Sequence, residues 1–289
     1  MKFGVREICD VVIRAKSAQM IGGQAFQKDE PVLYFDTAKT STVEGAATTV
    51  YAQGGKGNSR LIAWEGERTV TFTMEDALIS PLGFAILSGA GLIEASAEEA
   101  INVHMNETVE ATISEGAIVI TKETLGVKGT LSTADAYGFI LGDNGEIKAR
   151  LGVGTVDAAG ITFSGDKIPT GLTNVIVMVD FYVSMTSGVT QLEVTPDKFA
   201  GSYYLEAATL FRRQEDGVDM PAQFIIPNVK IQSAFNFSMA ASGDPSTFTF
   251  TMDAFPDYTK FDKTKKVLFA LQIIDDKAEE NAKKYAVRG

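Results

Sequence analysis

Two residue types that build much compact chemistry are almost missing. The chain has one cysteine, Cys9, and one histidine, His104. A single cysteine excludes an internal disulfide, and with it a disulfide-stapled secreted scaffold; it suits folding in a reducing cytoplasm. A single histidine cannot build a His-rich zinc site, and no Cys/His spacing supports another. Long apolar runs are missing as well. The richest stretch, residues 78–92, is broken by Ser80, Pro81, Ser88 and three glycines, so no membrane span is expected. The opening MKFGVREICD carries charge and lacks the apolar run of a signal peptide. Positive charge is scarce: 26 Lys+Arg stand against 37 Asp+Glu, a formal net charge of −11. That balance argues against general nucleic-acid affinity, which needs cations to displace phosphate counterions, and against a polybasic membrane anchor.

What is present reads as β-structure. The chain has 289 residues, 45% of them hydrophobic and 22% charged, enough apolar matter for a sizeable core and too much for disorder. Length alone suggests roughly two domains of about 150 residues each. Strand-like alternation recurs. Val70, Phe72 and Met74 share one face of V-T-F-T-M, and Phe248, Phe250 and Met252 share one face of T-F-T-F-T-M. These two segments echo one another and read as related strands of one sheet. Residues 118–120, 175–183 and 235–239 also read as strands. Cys9, Val11 and Ile13 alternate, with a short helix as the rival reading there. One helix is punctuated clearly: Ser80 as N-cap, Pro81 at the first helical position and Gly89 as the stop. Its apolar content (Leu82, Phe84, Ala85, Ile86, Leu87) predicts burial against a sheet or a neighbouring subunit. A polar second helix is predicted over residues 275–284. Turns are expected at Asp143-Asn144-Gly145, Asp216-Gly217 and Gly243-Asp244-Pro245, with loops at Gly22-Gly23 and at residues 54–58.

Short strands spaced through residues 96–184 suit a small Ig-like sandwich without its disulfide. The predicted architecture is therefore mainly β. A barrel or sandwich domain made from residues 1–95 and 185–289 is interrupted by an Ig-like β-sandwich over 96–184.

No catalytic constellation emerges. Gln53-Gly54-Gly55-Lys56-Gly57-Asn58 is the most site-like loop, but it lacks the upstream glycine and the Ser/Thr after Gly-Lys that a phosphate cradle needs. A loop that orders on subunit contact fits better. His104 has no nearby nucleophile, and Cys9 lies in an apolar alternation typical of core. Adjacent carboxylates such as Glu75-Asp76 and Glu98-Glu99 lack the opposed geometry of a glycosidase. Asp143, Asn144 and Glu146 lack an EF-hand spacing, and Asn106-Glu107-Thr108 is a glycosylation sequon without a secretion signal. Arg212-Arg213 is the one arginine doublet, suited to an acidic neighbouring subunit or to ordinary surface. No metal or cofactor is expected.

Two segments carry a resemblance. The first runs Y-A-Q-G-G-K-G-N-S-R-L-I-A-W-E-G-E from Tyr51, followed by V-T-F-T-M-E-D-A-L-I-S-P. The second begins V-T-P-D-K-F-A-G-S-Y-Y-L-E-A at Val194 and continues through L-F-R-R-Q-E-D-G-V-D-M-P-A-Q-F-I-I-P-N-V-K-I to S-G-D-P-S-T-F-T-F. Together they resemble virion structural proteins of tailed bacteriophages, most of all tail tube proteins. The resemblance covers the flanks and is weaker across 96–184. It implies a non-enzymatic subunit of the virion tail, assembled in the host cytoplasm. Sheets of ring-mates join, rings (hexameric in such proteins) stack into a conduit for DNA, and the other tail proteins met are sheath, baseplate and tape measure. The inserted sandwich would be an outward decoration or a contact for them. Candidate inter-subunit contacts on this reading are Gly54, Gly55, Lys56, Gly57, Asn58, Trp64, Pro81, Phe84, Arg212 and Arg213. An acidic lumen would let DNA pass without sticking. Two rivals stand beside this: another virion component (baseplate, sheath-associated or head-decoration protein), and a carbohydrate-binding β-protein stacking sugars on Trp64, Tyr203, Tyr204 and Tyr258.

Overall fold

The computed structural model describes residues 2–5, 7–237, 239, 242 and 247–275. The chain forms two compact units, one from Met1–Leu92 with Leu192–Gly289 and one from Ile93–Gln191. It is mainly β, as the sequence predicts, with a single short helix among the described residues.

The discontinuous unit begins with β1 (Phe3–Val5), β2 (Asp10–Ala15), β3 (Gln19–Ile21), β4 (Gln24–Phe26) and β5 (Pro31–Phe35). The long strands β6 (Ala38–Gly54) and β7 (Ser59–Asp76) lead into α1 (Pro81–Ser88) and β8 (Gly91–Glu94). After the insertion the chain returns through β16 (Thr190–Glu193), β17 (Ser202–Arg213), β18 (Asp219–Ile231), β19 (Phe248–Ala254) and β20 (Ala270–Ile273). Its sheet has the order β5-β2-β17-β18-β19-β7-β6, with β1 added to β17 and β20 to β18. β3 pairs β4 and β8 pairs β16 as separate two-stranded sheets. The two echoing segments are direct neighbours, with Phe250 opposite Met74 and Met252 opposite Phe72.

Period-2 alternation puts Val11, Ile13, Phe72, Met74, Leu205, Ala207, Phe250 and Met252 on one face, all fully buried. Each large side chain of that set contributes about 2–3 kcal/mol by leaving water. Residues 10–15 are thus strand rather than helix, and Cys9, just before them, is core. Its thiol is pushed up, chiefly by burial.

The helix is capped as the sequence predicts. The Gly83 amide donates to Ser80 Oγ at 3.0 Å, and Gly89 closes it in the left-handed region at φ 74°. Eight residues are too few to hold a helix in water. Burial holds this one, as Ile86 and Leu87 join the sheet's core. A β-carbon at position 89 would lie 2.4 Å from the Phe199 carbonyl carbon, so only glycine fits there.

The inserted unit contains β9 (Ile101–Ser114), β10 (Ala117–Thr121), β11 (Thr130–Leu131), β12 (Ala136–Leu141), β13 (Ile147–Val156), β14 (Gly160–Ser164) and β15 (Asn174–Met185). The order β15-β12-β13-β14-β10-β9 returns on itself, because β9 pairs β15 along twelve residues. The expected Ig-like sandwich is therefore a closed six-stranded barrel. Closure follows from the length of β9, which pairs with both β10 and β15 and so leaves no edge between two sheets. Ile118, Ile161, Phe163, Val177, Val179 and Phe181 fill its interior.

Residues 235–237 are not a strand. The alternation is real, since Phe235 and Phe237 both pack on the Phe84 ring at 5.0 and 5.1 Å, but no neighbouring strand supplies a ladder. The predicted helix over 275–284, apart from Asp275, and the turn at 243–245 lie outside the described residues. Asp143-Asn144-Gly145 and Asp216-Gly217 both turn as predicted, with Gly145 at φ 79° and Gly217 at φ 69°. Among the described residues, no helix is long and apolar enough to cross a membrane.

Candidate assembly interface

β6 and β7 form a hairpin much longer than the sheet that holds it. Neighbour β19 pairs β7 only from Thr71 to Asp76, opposite Asp253 to Phe248. Residues 45–69 run on as a two-stranded arm, exposed on both faces apart from half-buried Ala52 and Gly54. At the root of the arm, Thr48 stands opposite both Gly66 and Glu67, because the register steps from Ala47–Arg68 to Thr49–Glu65. The Glu67 amide donates to Thr48 Oγ1 at 2.9 Å, and a β-carbon at position 66 would sit 2.4 Å from that oxygen. The arm therefore starts at a glycine-dependent bulge, a device that re-aims a strand pair.

The arm is apolar where solvent should demand polarity. Val50 faces Trp64 and Ala52 faces Ile62, so these four share one side. Val50, Ile62 and Trp64 are 62, 55 and 53% exposed, and Leu61 beside them is 67% exposed. On the other side, the Arg60 guanidinium lies 4.1 Å from the Tyr51 ring centroid. The tip is Gly55-Lys56-Gly57-Asn58, with Gly55, Gly57 and Asn58 at positive φ. It is tied by Asn58 Nδ2 donating to Gln53 Oε1 at 3.2 Å. The glycine-rich loop singled out from sequence is thus the tip of an extended arm, with Gly54 its last strand residue and Trp64 a few residues below.

The other site candidates lie elsewhere. Pro81 is exposed at the start of α1, whereas Phe84 is buried under Phe235 and Phe237. Those two rings, 42 and 47% exposed, occupy the surface there. The arginine doublet splits by strand parity. Arg212 faces solvent and is held bidentately by Asp219 at 2.7 and 2.8 Å; that contact holds the Asp219 carboxyl below its usual range. Arg213 points inward with its side chain 3% exposed, paired to Asp216 at 2.9 Å and to Asp275. It is an internal ion pair. Sequence reasoning missed Val50, Leu61 and Ile62. Their signal was an apolar run flanking a turn, and it reads equally well as core.

Sugar stacking loses half its proposed aromatics: Tyr203 and Tyr204 are 3 and 5% exposed, and burial is the main cause raising both hydroxyls. Among the described residues, no group of three or more His, Cys, Asp or Glu side chains is placed to hold a metal ion.

No curated protein matches the chain. The model of the YomU/Tube protein family matches residues 24–268, which takes in the arm, the helix and the whole inserted barrel. With most of its length matched, and with flanks that resemble tail tube proteins, the chain belongs to the YomU/Tube protein family and is a tube-type structural protein of the phage tail.

Proposed function

We propose that this protein is the repeating subunit of a phage tail tube, assembling into stacked hexameric rings that conduct DNA at ejection. The carrying observation is the exposed apolar arm together with the two unpaired sheet edges, β5 and β6. An isolated two-stranded ribbon is marginal in water, and an open edge strand is a template for pairing with another chain. Both features become assets when each copy meets another. Edge β5 of one copy continues the sheet of the next at its β6, a head-to-tail contact that closes into a ring. The arm, projecting beyond the sheet, reaches a further copy and buries Val50, Ile62 and Trp64.

The polar face of the sheet supports a DNA-compatible bore. It presents Asp10, Glu44, Glu75 and Asp253 among threonines, with Lys230 opposite Asp253, while Arg14 is paired with Glu206 at 2.9 Å. Negative charge there repels phosphate and keeps DNA sliding. The inserted barrel has closed its own edges and contributes no pairing strand; it serves as a decoration that meets sheath or baseplate proteins. Tape measure and DNA occupy the bore in turn. Assembly takes place in the host cytoplasm.

Electron microscopy of the purified protein over a range of concentrations tests this. Rings or tubes are expected, and a monomer that persists at every concentration refutes it. The closed barrel also favours a second reading, a baseplate or sheath-associated ring. Copy number per virion separates them, since a tube subunit must be among the most abundant proteins of the particle.

A further inference from the structure

The discontinuous unit carries a concentration of positive charge that the acidic composition does not lead one to expect. Lys16, Lys28, Lys260 and Lys263 surround a concavity of about 380 Å³. Its floor includes Tyr204 and Tyr258, and Lys260 Nζ lies 5.2 Å from the Tyr204 ring centroid. Two carboxylates line it as well, Asp29 and Asp257. Asp257 is engaged by Lys16 at 2.5 Å, the main reason its carboxyl lies below the usual range. Lys28, Lys260 and Lys263 have no carboxylate partner among the described residues. Three lysines without a carboxylate partner among the described residues thus line one concavity on a chain of net charge −11.

The position of this concavity in the sheet gives it meaning. Ala15, Tyr203, Val229 and Ala254 stand opposite one another across four strands. One residue along, the next row runs Ser202, Lys230, Asp253, Thr71, Glu44, ending on edge strand β6. At the other side Lys16 follows Ala15, where β2 ends, and Asp29, whose amide donates to the Ala15 carbonyl at 2.8 Å, lies just before edge strand β5. The concavity thus reaches the β5 edge through Lys28 and Asp29 and runs inward over Tyr204 of β17 and Pro227 of β18, where Lys260 and Lys263 of the segment after β19 line it, while Glu44 lies on the opposite edge. Glu67, in the bulge at the root of the arm, adds a second carboxylate on that side. Neither Glu44 nor Glu67 has an ion-pair partner among the described residues.

We infer that the lysine concavity is the socket for Glu44 and Glu67 of a second copy of this chain, an electrostatic latch that sets which edges pair and at what register. The inference rests on the tube reading above. Copies related by rotation about a ring axis stay at equal height, so the basic edge of one meets the acidic edge of the next when rows continue across the contact. The latch works against the alternatives: like edges repel, and a slipped register leaves the lysines unmatched.

Four proteins test this: wild type, Lys28→Glu with Lys263→Glu, Glu44→Lys with Glu67→Lys, and the chain carrying all four changes. All four positions are exposed, so monomer melting is expected to stay unchanged and serves as the folding check. Sedimentation as a function of concentration reads ring formation. Each double reversal is expected to raise the concentration needed by about tenfold or more, and the fourfold swap to return it to within about threefold of wild type. High salt should raise the wild-type value as well. If the double reversals assemble like wild type, or the swap is as impaired as both together, the latch is overturned while the tube reading stands. If assembly is unchanged but the lysine variant alone loses binding of inorganic phosphate, the concavity serves another anion and the latch is again overturned. If wild type forms no rings under any condition, the tube reading falls and the latch falls with it.

Discussion

Replacing Trp64 by alanine should separate folding from assembly. The side chain sits on the arm with 53% of its surface in water, opposite Val50 and with no core beneath it. A tryptophan presents up to about 250 Å², so about 130 Å² remains to be covered in an assembled state. At about 25 cal/mol per Å², covering it contributes about 3 kcal/mol per contact. That corresponds to roughly a hundredfold in the concentration at which subunits associate. The monomer loses little, because what Trp64 touches in the free chain is only the facing strand. Its melting temperature should stay within about 2 °C of wild type. Phe250→Ala is the opposite control. It is fully buried and packs edge-on against Phe35 at 4.9 Å, so truncation should cost about 3–5 kcal/mol of folding stability. Sedimentation and thermal melting of the three proteins decide the matter. A Trp64→Ala protein that assembles at the wild-type concentration, or that melts as early as Phe250→Ala, would refute the assignment of the arm as an assembly element.

Other expectations follow from buried groups. Arg213→Ala should cost about 3–5 kcal/mol in denaturant titration because it removes a buried guanidinium from its ion pairs with Asp216 and Asp275, while Arg212→Ala, at the exposed neighbour, should leave the midpoint unchanged. Gly160→Ala places a β-carbon 2.2 Å from the Ile120 carbonyl oxygen, an overpacking worth about 1–3 kcal/mol. Hydrogen exchange should then quicken at amides of β10 and β14 but not at those of β2 and β17, if the two units open independently. Burial pushes the Tyr203 hydroxyl up to about 12, well above its unfolded value near 10. The folded chain then keeps this proton after the unfolded chain has lost it. Stability from this group is full below about pH 10 and falls by about 2–3 kcal/mol as pH climbs to about 12. Tyr203→Phe should show a shallower decline in denaturation midpoints over that window.

The amino-acid sequence by itself determined the local chemistry. Alternation of small polar and large apolar residues dictated strands such as β7 and β19, and the likeness of those two placed them in one sheet. Ser80, Pro81 and Gly89 dictated the helix, because caps act through bonds only a few residues long. The absence of cysteine and histidine clusters and the motifs of the flanks narrowed the function. Tertiary structure alone decided who neighbours whom. Phe235 and Phe237 alternate as a strand would, yet they pack on Phe84 without a ladder, since periodicity specifies a face and says nothing of a partner. Arg212 and Arg213 look alike in sequence and differ wholly in burial, because strand parity is set by register. The inserted strands closed into a barrel because β9 is long enough to pair twice, a property of pairing rather than of pattern. The apolar run around Trp64 reads as core until the fold shows that no core reaches it. That residual exposure is a long-range outcome of chain topology, and it turns a plain hairpin into a site of assembly.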